Sequence, residues 1–210
     1  MRTQILLASA ALVGLGALSA SAQVYSVNAV GYVNIEVPAR GFALIANQLN
    51  ASPNNQVANV LPAVPEDTAL YLWTGTAFSV NIFEGGAWAT PTAVLGPGAA
   101  AFVLNPLNAL LTLTMVGEVP QGSLATPLTV GFNLVSSQVP QAGGLQSVLG
   151  YPAAEDDVVY KWNKASQSYS VVTFEGGEWQ GTEPALTVGE GVFVRRTSAG
   201  SWNRTFSVNQ

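Results

Sequence analysis

The chain has 210 residues, a formal net charge of −5, 49% hydrophobic and only 9% charged residues, and neither His nor Cys. Without His there is no Ser-His-Asp or Cys-His set and no zinc site of the usual His type; without Cys there are no disulfides, thiol nucleophiles or iron–sulfur clusters. The acidic balance, with no basic run, argues against a nucleic-acid partner.

Residues 1–22 read as a secretory signal. Arg2 supplies the positive start, Ile5 to about Leu18 is apolar and uncharged, and Ala20-Ser21-Ala22 is an A-x-A cleavage site before Gln23. The apolar core is shorter than the roughly 20 residues a membrane span needs. The expected mature chain is therefore secreted, begins at Gln23 and carries no span. Its length of about 190 residues can bury enough surface to fold without staples.

From Gln23 the chain writes one pattern twice. Tyr25–Val37 is rich in β-branched and aromatic residues without helical period, as a strand is, and Pro38 and Gly41 end it. Gly41-Phe42-Ala43-Leu44-Ile45 is matched by Gly131-Phe132-Asn133-Leu134-Val135, a half-buried strand pattern. Gln56–Leu61 and Leu145–Leu149 are each expected to form one or two helical turns, the second stopped by Gly150 and Pro152. Glu66-Asp67 then pairs with Glu155-Asp156, and Tyr71-x-Trp73 with Tyr160-x-Trp162. Phe83-Glu84-Gly85-Gly86-Ala87-Trp88 and Phe174-Glu175-Gly176-Gly177-Glu178-Trp179 follow, each a strand running into a Gly-Gly hairpin turn. Over Phe83–Val103 and Phe174–Val194, 9 of 21 positions are identical without a gap. Leu110–Val116 closes the first copy and Ser201–Val208 the second. Thr112–Val119 lies between the copies, placed to serve both. Tyr25-Ser26-Val27-Asn28 also resembles Phe206-Ser207-Val208-Asn209, either through convergent strand composition or as equivalent edges that could pair within the molecule or with a neighbour.

These signals predict an all-β fold: two tandem homologous β-sandwich or barrel-like repeats with short helical turns, residues 23–118 and 119–210. The order Gly-Phe-x-Leu, Tyr-x-Trp, Phe-Glu-Gly-Gly-x-Trp, together with Val27-Asn28-Ala29-Val30-Gly31-Tyr32-Val33-Asn34 after a signal peptide, resembles an uncharacterised family of secreted β-repeat proteins of verrucomicrobial-type bacteria. That resemblance covers the mature chain and implies no activity, cofactor or site.

The residues offer four candidates for chemistry. Glu84 and Glu175 hold equivalent turns, and could act as a hydrolase's carboxylate pair only if the two turns faced each other. Glu155-Asp156-Asp157 with Glu66-Asp67 could supply oxygen to calcium, but lacks a calcium-loop spacing; no metal or cofactor is assigned. Among the tryptophans, Trp88 and Trp179 beside the turns are expected to be exposed and to serve as ligand-binding residues, with Glu84 and Glu175 next to them. Tyr71/Trp73 and Tyr160/Trp162 are expected in the core. Lys161, Lys164, Arg195, Arg196 and Arg204 give the second copy most of the positive charge, as scattered surface charge or as a face that could dock an acidic polymer or the acidic face of a neighbour. The reading is a secreted, non-enzymatic structural or interaction protein of the cell surface or extracellular matrix. It would associate with itself through edge strands or bind a surface polysaccharide. The alternatives are a carbohydrate-binding module using exposed Trp residues and, with least support, a carboxylate-dependent hydrolase.

Overall fold

The computed structural model describes residues 29–208. The signal segment, Tyr25–Asn28 and Asn209 lie outside them. The first copy contributes β1 (Val30–Val37), β2 (Phe42–Ala46), the four-residue helix α1 (Val57–Val60), β3 (Ala69–Trp73), β4 (Phe78–Glu84), β5 (Ala87–Trp88), β6 (Ala100–Leu104) and β7 (Leu111–Glu118). The second contributes β8 (Gly122–Leu128), β9 (Gly131–Val135), β10 (Gly143–Gly144), β11 (Asp157–Asn163), β12 (Ser168–Glu175), β13 (Glu178–Trp179), β14 (Ala185–Leu186), β15 (Val192–Arg196) and β16 (Gly200–Phe206). The fold is all-β and every ladder is antiparallel.

The two copies have the same strand order. Five-stranded sheets run β2-β6-β3-β4-β5 and β9-β15-β11-β12-β13, and two-stranded ribbons pair β1 with β7 and β8 with β16. The short β10–β14 pair of the second copy has a single bridge, Gln56–Val94, as its counterpart in the first. Neither sheet closes into a barrel. β7 pairs with β1 alone, so it does not serve both copies as its place in the chain suggested. The stretch 145–149 forms a hydrogen-bonded turn rather than a helix, so α1 has no helical counterpart.

Period-two patterning explains the layers. Along β7, Leu111, Leu113, Met115 and Gly117 are buried, while Thr112, Thr114, Val116 and Glu118 are exposed. The buried set meets Val33, Ile35 and Val37 of β1 and closes over Ile45, Leu70 and Val103 of the sheet. In the second copy Leu128 and Trp202 of the ribbon cover Val135, Val159 and Val194. A third apolar cluster belongs to neither copy alone: Leu44, Ala46, Ala100 and Phe102 pack on Leu134 and Phe193.

The copies also cover each other's inner sheet edges. On β2, Gly191 N–H donates to Leu44 O at 3.1 Å, and Ala46 N–H donates to Gly189 O at 2.7 Å. On β9, Ser136 N–H donates to Gly98 O at 2.9 Å, the counterpart of the second of these bonds. The outermost strands, β5 and β13, are two residues long and pair with only the last residues of β4 and β12, so the rest of those two strands has no outer strand partner among the described residues. Gly98 and Gly189 are required here. Both have φ near +80°, and a Cβ would lie 2.6 Å from Thr126 Oγ1 at Gly98 and 2.7 Å from Ile35 at Gly189. Each copy thus presses a glycine turn onto the first strand of the other.

One polar cluster is buried inside the second copy. Asp157 lies 3.6 Å from Arg196 Nε, accepts the Tyr151 hydroxyl at 2.7 Å and accepts Ala154 N–H at 3.1 Å. Burial, with Asp157 adding to it, pushes the Tyr151 hydroxyl far above its ordinary range, so it stays a donor. The first copy has Thr68 and Asn105 at these two places, also buried.

Two outcomes follow for stability. Gly189→Ala should cost about 2–5 kcal/mol, from a left-handed backbone and a clash against Ile35. Gly176→Ala, with φ +61° and open space around it, should cost only the backbone part, about 1 kcal/mol; urea unfolding of both variants compares them. Arg196→Met should cost about 3–5 kcal/mol by leaving the Asp157 carboxylate buried alone. Combining Asp157→Thr with Arg196→Asn, the first copy's own pair, should be milder than either single change in the same assay.

Candidate functional site

The tryptophans do not lie where the sequence pattern suggested. Trp88 is 4% exposed. Its ring meets Phe83 at 5.4 Å, and its indole N–H donates to Leu61 O at 2.8 Å. Trp179 is half-buried against Phe174 at 5.1 Å and donates to Gln146 Oε1 at 3.1 Å. The expectation of an open ring face is therefore corrected for Trp88, whereas Trp179 stays partly exposed. Each two-residue return strand folds its Trp back under the hairpin, onto the Phe directly across the ladder.

Glu84 and Glu175 sit exposed at the tips of separate hairpins, and no hydrogen bond or ion pair joins their carboxylates. The turns are instead held by the upstream acids. Glu66 accepts Gly85 N–H at 2.7 Å and Gly86 N–H at 2.9 Å, and Glu155 accepts Gly176 N–H at 2.9 Å. The motif Glu-Asp and the motif Glu-Gly-Gly are thus two halves of one turn lock. The consecutive acids diverge: Glu155 faces this turn while Asp157 points inward to Arg196. Glu175 lines a shallow depression with Asp156 and Arg195, without an ion pair among them.

The aromatics expected to be core are partly buried against the third apolar cluster and line a seam between the copies. Tyr71 and Trp73 share the β3 face that looks at the second sheet, and Tyr160 and Trp162 share the matching face of β11. Trp73 N–H donates across to Phe132 O at 3.0 Å, and Trp162 N–H donates back to Phe42 O at 3.1 Å. Ring contacts repeat in the same reciprocal way. Trp73–Phe193 at 5.2 Å is mirrored by Trp162–Phe102 at 5.3 Å, and Phe78–Phe193 at 6.0 Å by Tyr169–Phe102 at 6.3 Å. Phe78 and Tyr169, each about 40% exposed, separate two apolar depressions of about 360 and 250 Å³. With both indole N–H groups committed to backbone carbonyls, this trough offers a bound molecule almost no polar partner.

Trp162 also lines a different cleft, of about 340 Å³, whose walls are polar. Lys161, Asn163 and Lys164 lie beside the indole at the end of β11. Ser170 of β12 and the 187–190 loop close the far side. Lys161 Nζ is 3.4 Å from Glu190 Oε1, and Glu190 Oε2 accepts both Thr187 N–H, at 2.8 Å, and Thr187 Oγ1–H, at 3.1 Å. The sequence contained these residues, but nothing in their spacing joined Glu190 to Lys161.

The far side of β1 is the remaining feature. Val119 N–H donates to Ala29 O, which fixes the phase of the β1–β7 ladder. Gly31, Val33 and Ile35 therefore exchange bonds with β7, while the backbone groups of Val30, Tyr32, Asn34 and Glu36 point away. Lys164 Nζ takes Glu36 O at 3.1 Å. No strand among the described residues pairs with the rest of this edge. Val30 and Tyr32 are 69% and 72% exposed, with Val116 exposed opposite Tyr32.

Glu183 gives a pH-dependent readout. Burial raises its pKa, but hydrogen bonds from Ser147 N–H, Ser147 Oγ and Gln146 N–H outweigh that and hold it below the usual range. A depressed folded pKa stabilises above the unfolded value, and that stabilisation is lost as pH falls through the folded one. Glu183→Gln should therefore lower the melting temperature at pH 7, with the gap to the wild type narrowing at pH 3.

None of the described helices is long and apolar enough to cross a membrane. No family model matches this chain, and neither a curated protein nor a solved structure does.

Proposed function

We propose that this chain is a secreted, non-enzymatic structural protein of the cell surface or extracellular matrix, and that it assembles with copies of itself through β1. The observation that carries this reading is the open β1 edge. Its Val30, Tyr32 and Asn34 backbone groups point away from β7, and two exposed apolar side chains stand on the same strand. Such an edge is a template for another strand. A second copy meets it about a two-fold axis, β1 against β1, and extends the ribbon to four strands. The contact is antiparallel by symmetry, brings Tyr32 and Val30 of both copies together, and satisfies the outward N–H and C=O groups. Among the described residues β7, β16 and most of β4 and β12 also lack an outer strand, but none of them carries apolar side chains as exposed as Val30 and Tyr32. β2 and β9 are covered by the opposite copy, and Gln138 Nε2 takes Ala125 O on β8 at 2.7 Å.

Sedimentation across a wide concentration series tests the assembly. The wild type should pass from monomer to dimer as concentration rises. Asn34→Pro removes an N–H that β7 does not use, and Tyr32→Lys places charge on the edge. Both variants should stay monomeric with melting curves close to the wild type. A wild type that remains monomeric throughout, or variants that assemble equally well, would refute the proposal.

A further inference from the structure

The two copies act as each other's control. Strands that match in both show which residues the fold needs, and positions where one copy carries charge and the other does not stand apart from that need. At the cleft beside Trp162, the second copy has Lys161, Lys164 and Glu190 where the first has Leu72, Gly75 and Ala99. The first copy forms the same sheet without them. The β11–β12 turn is also longer, with six residues between Trp162 and Tyr169 against four between Trp73 and Phe78. The added length carries Lys164 and Asn163 out along the rim.

The polar groups are held but not used up. Lys161 donates to Ala185 O at 2.5 Å and pairs with Glu190. Asn163 Oδ1 accepts Ala165 N–H at 2.9 Å and Ser166 N–H at 3.2 Å, which fixes the amide and leaves its NH₂ without a bond to the described chain. Lys164 spends one donor on Glu36 O, and an ammonium has three. Two ammoniums against one carboxylate make the cleft locally positive on a chain whose net charge is −5. Beside them stands the indole of Trp162, an apolar wall fixed by its own bond to Phe42 O.

We propose that this cleft binds a uronic acid residue of an acidic polysaccharide. The C–H face of the pyranose rests on Trp162. The sugar carboxylate takes charge-assisted bonds from Lys164 and Lys161. Ring hydroxyls, which both donate and accept, bridge the Asn163 NH₂ and Glu190. The first copy, lacking the charged set, has no such site. This inference does not rest on self-assembly: the cleft lies at the β11–β12 turn, and Lys164 meets β1 only at Glu36 O.

Calorimetric titration of the full mature chain with alginate oligomers, a polyuronate, and with neutral glucan oligomers tests it. The wild type should bind the polyuronate, more weakly as salt rises, and should bind the glucan poorly. Lys164→Gln sits on an exposed turn and keeps the fold. It should weaken polyuronate binding by roughly tenfold or more. Asn163→Ala should weaken it too, whereas Thr74→Ala, the first copy's counterpart of Asn163, should leave it unchanged. No polyuronate binding, or equal binding by Lys164→Gln, overturns the site. Glucan bound as tightly as polyuronate overturns the acidic ligand. Sedimentation of Asn163→Ala should match the wild type, so failure here is distinguishable from failure of the β1 contact.

Discussion

The structure depends on one reciprocal contact, in which each five-stranded sheet turns the same face to the other. A half-buried antiparallel sheet has two faces to account for. Here the ribbon covers one face and the opposite copy covers part of the other. The bonds that fix the docking come in matched sets: an indole N–H to a Phe carbonyl each way, and a strand-end N–H to a glycine carbonyl each way. This is the geometry of an isologous interface, in which residue i meets j and j meets i, contained within one chain. It explains why glycine is needed at positions 98 and 189, where each turn presses on the other copy's first strand.

The contact also decides where the molecule is open. Docking covers the inner edges β2 and β9, while β5 and β13 cover only the ends of β4 and β12. Of the edges left, the far side of β1 carries the most exposed apolar side chains, and its counterpart β8 is partly blocked by Gln138. The two ribbons are equivalent in order and unequal in exposure. The aromatic trough is the unburied margin of the same contact. Its lining is apolar because it continues the third core cluster, and its indoles are committed to holding the copies together. The polar cleft shares Trp162 with that packing, but its charged groups stand at the rim and differ from copy to copy while the sheets stay the same.

Divergence between the copies also reaches the interior. Asp157 and Arg196 form a buried pair where Thr68 and Asn105 stand in the first copy. Asn105 spends its NH₂ on the carbonyls of Val37, Pro38 and Ala109, and Arg196 reaches Ser198 O and Pro152 O from the matching place. Both solutions fill one position at the sheet's end with a side chain that satisfies nearby carbonyls. A buried charge pair is costly to break and is weak evidence of added stability over a neutral pair. The two copies show that the architecture accepts either.

The sequence by itself determined the strands, their duplication and the Gly-Gly turns. Each is local: period two, a dipeptide that takes positive φ, and a constant offset between copies. Gly85 and Gly86, at φ +62° and +79°, and Gly176 and Gly177, at +61° and +81°, are as the hairpin reading requires. How far each aromatic residue is covered was settled by tertiary packing. Trp88 stands beside a turn but is drawn beneath the hairpin by the Phe across the ladder, whereas Trp73 and Trp162 alternate like core residues but face a second sheet that covers them only in part. Exposure depends on what packs above a strand, and that partner lies about 60 to 120 residues away along the chain, as with Trp73 and Phe132 or Trp162 and Phe42. The Lys161–Glu190 pair escaped sequence reading for the same reason, since only the pairing of β11 with β15 brings the loop before β15 beside the end of β11.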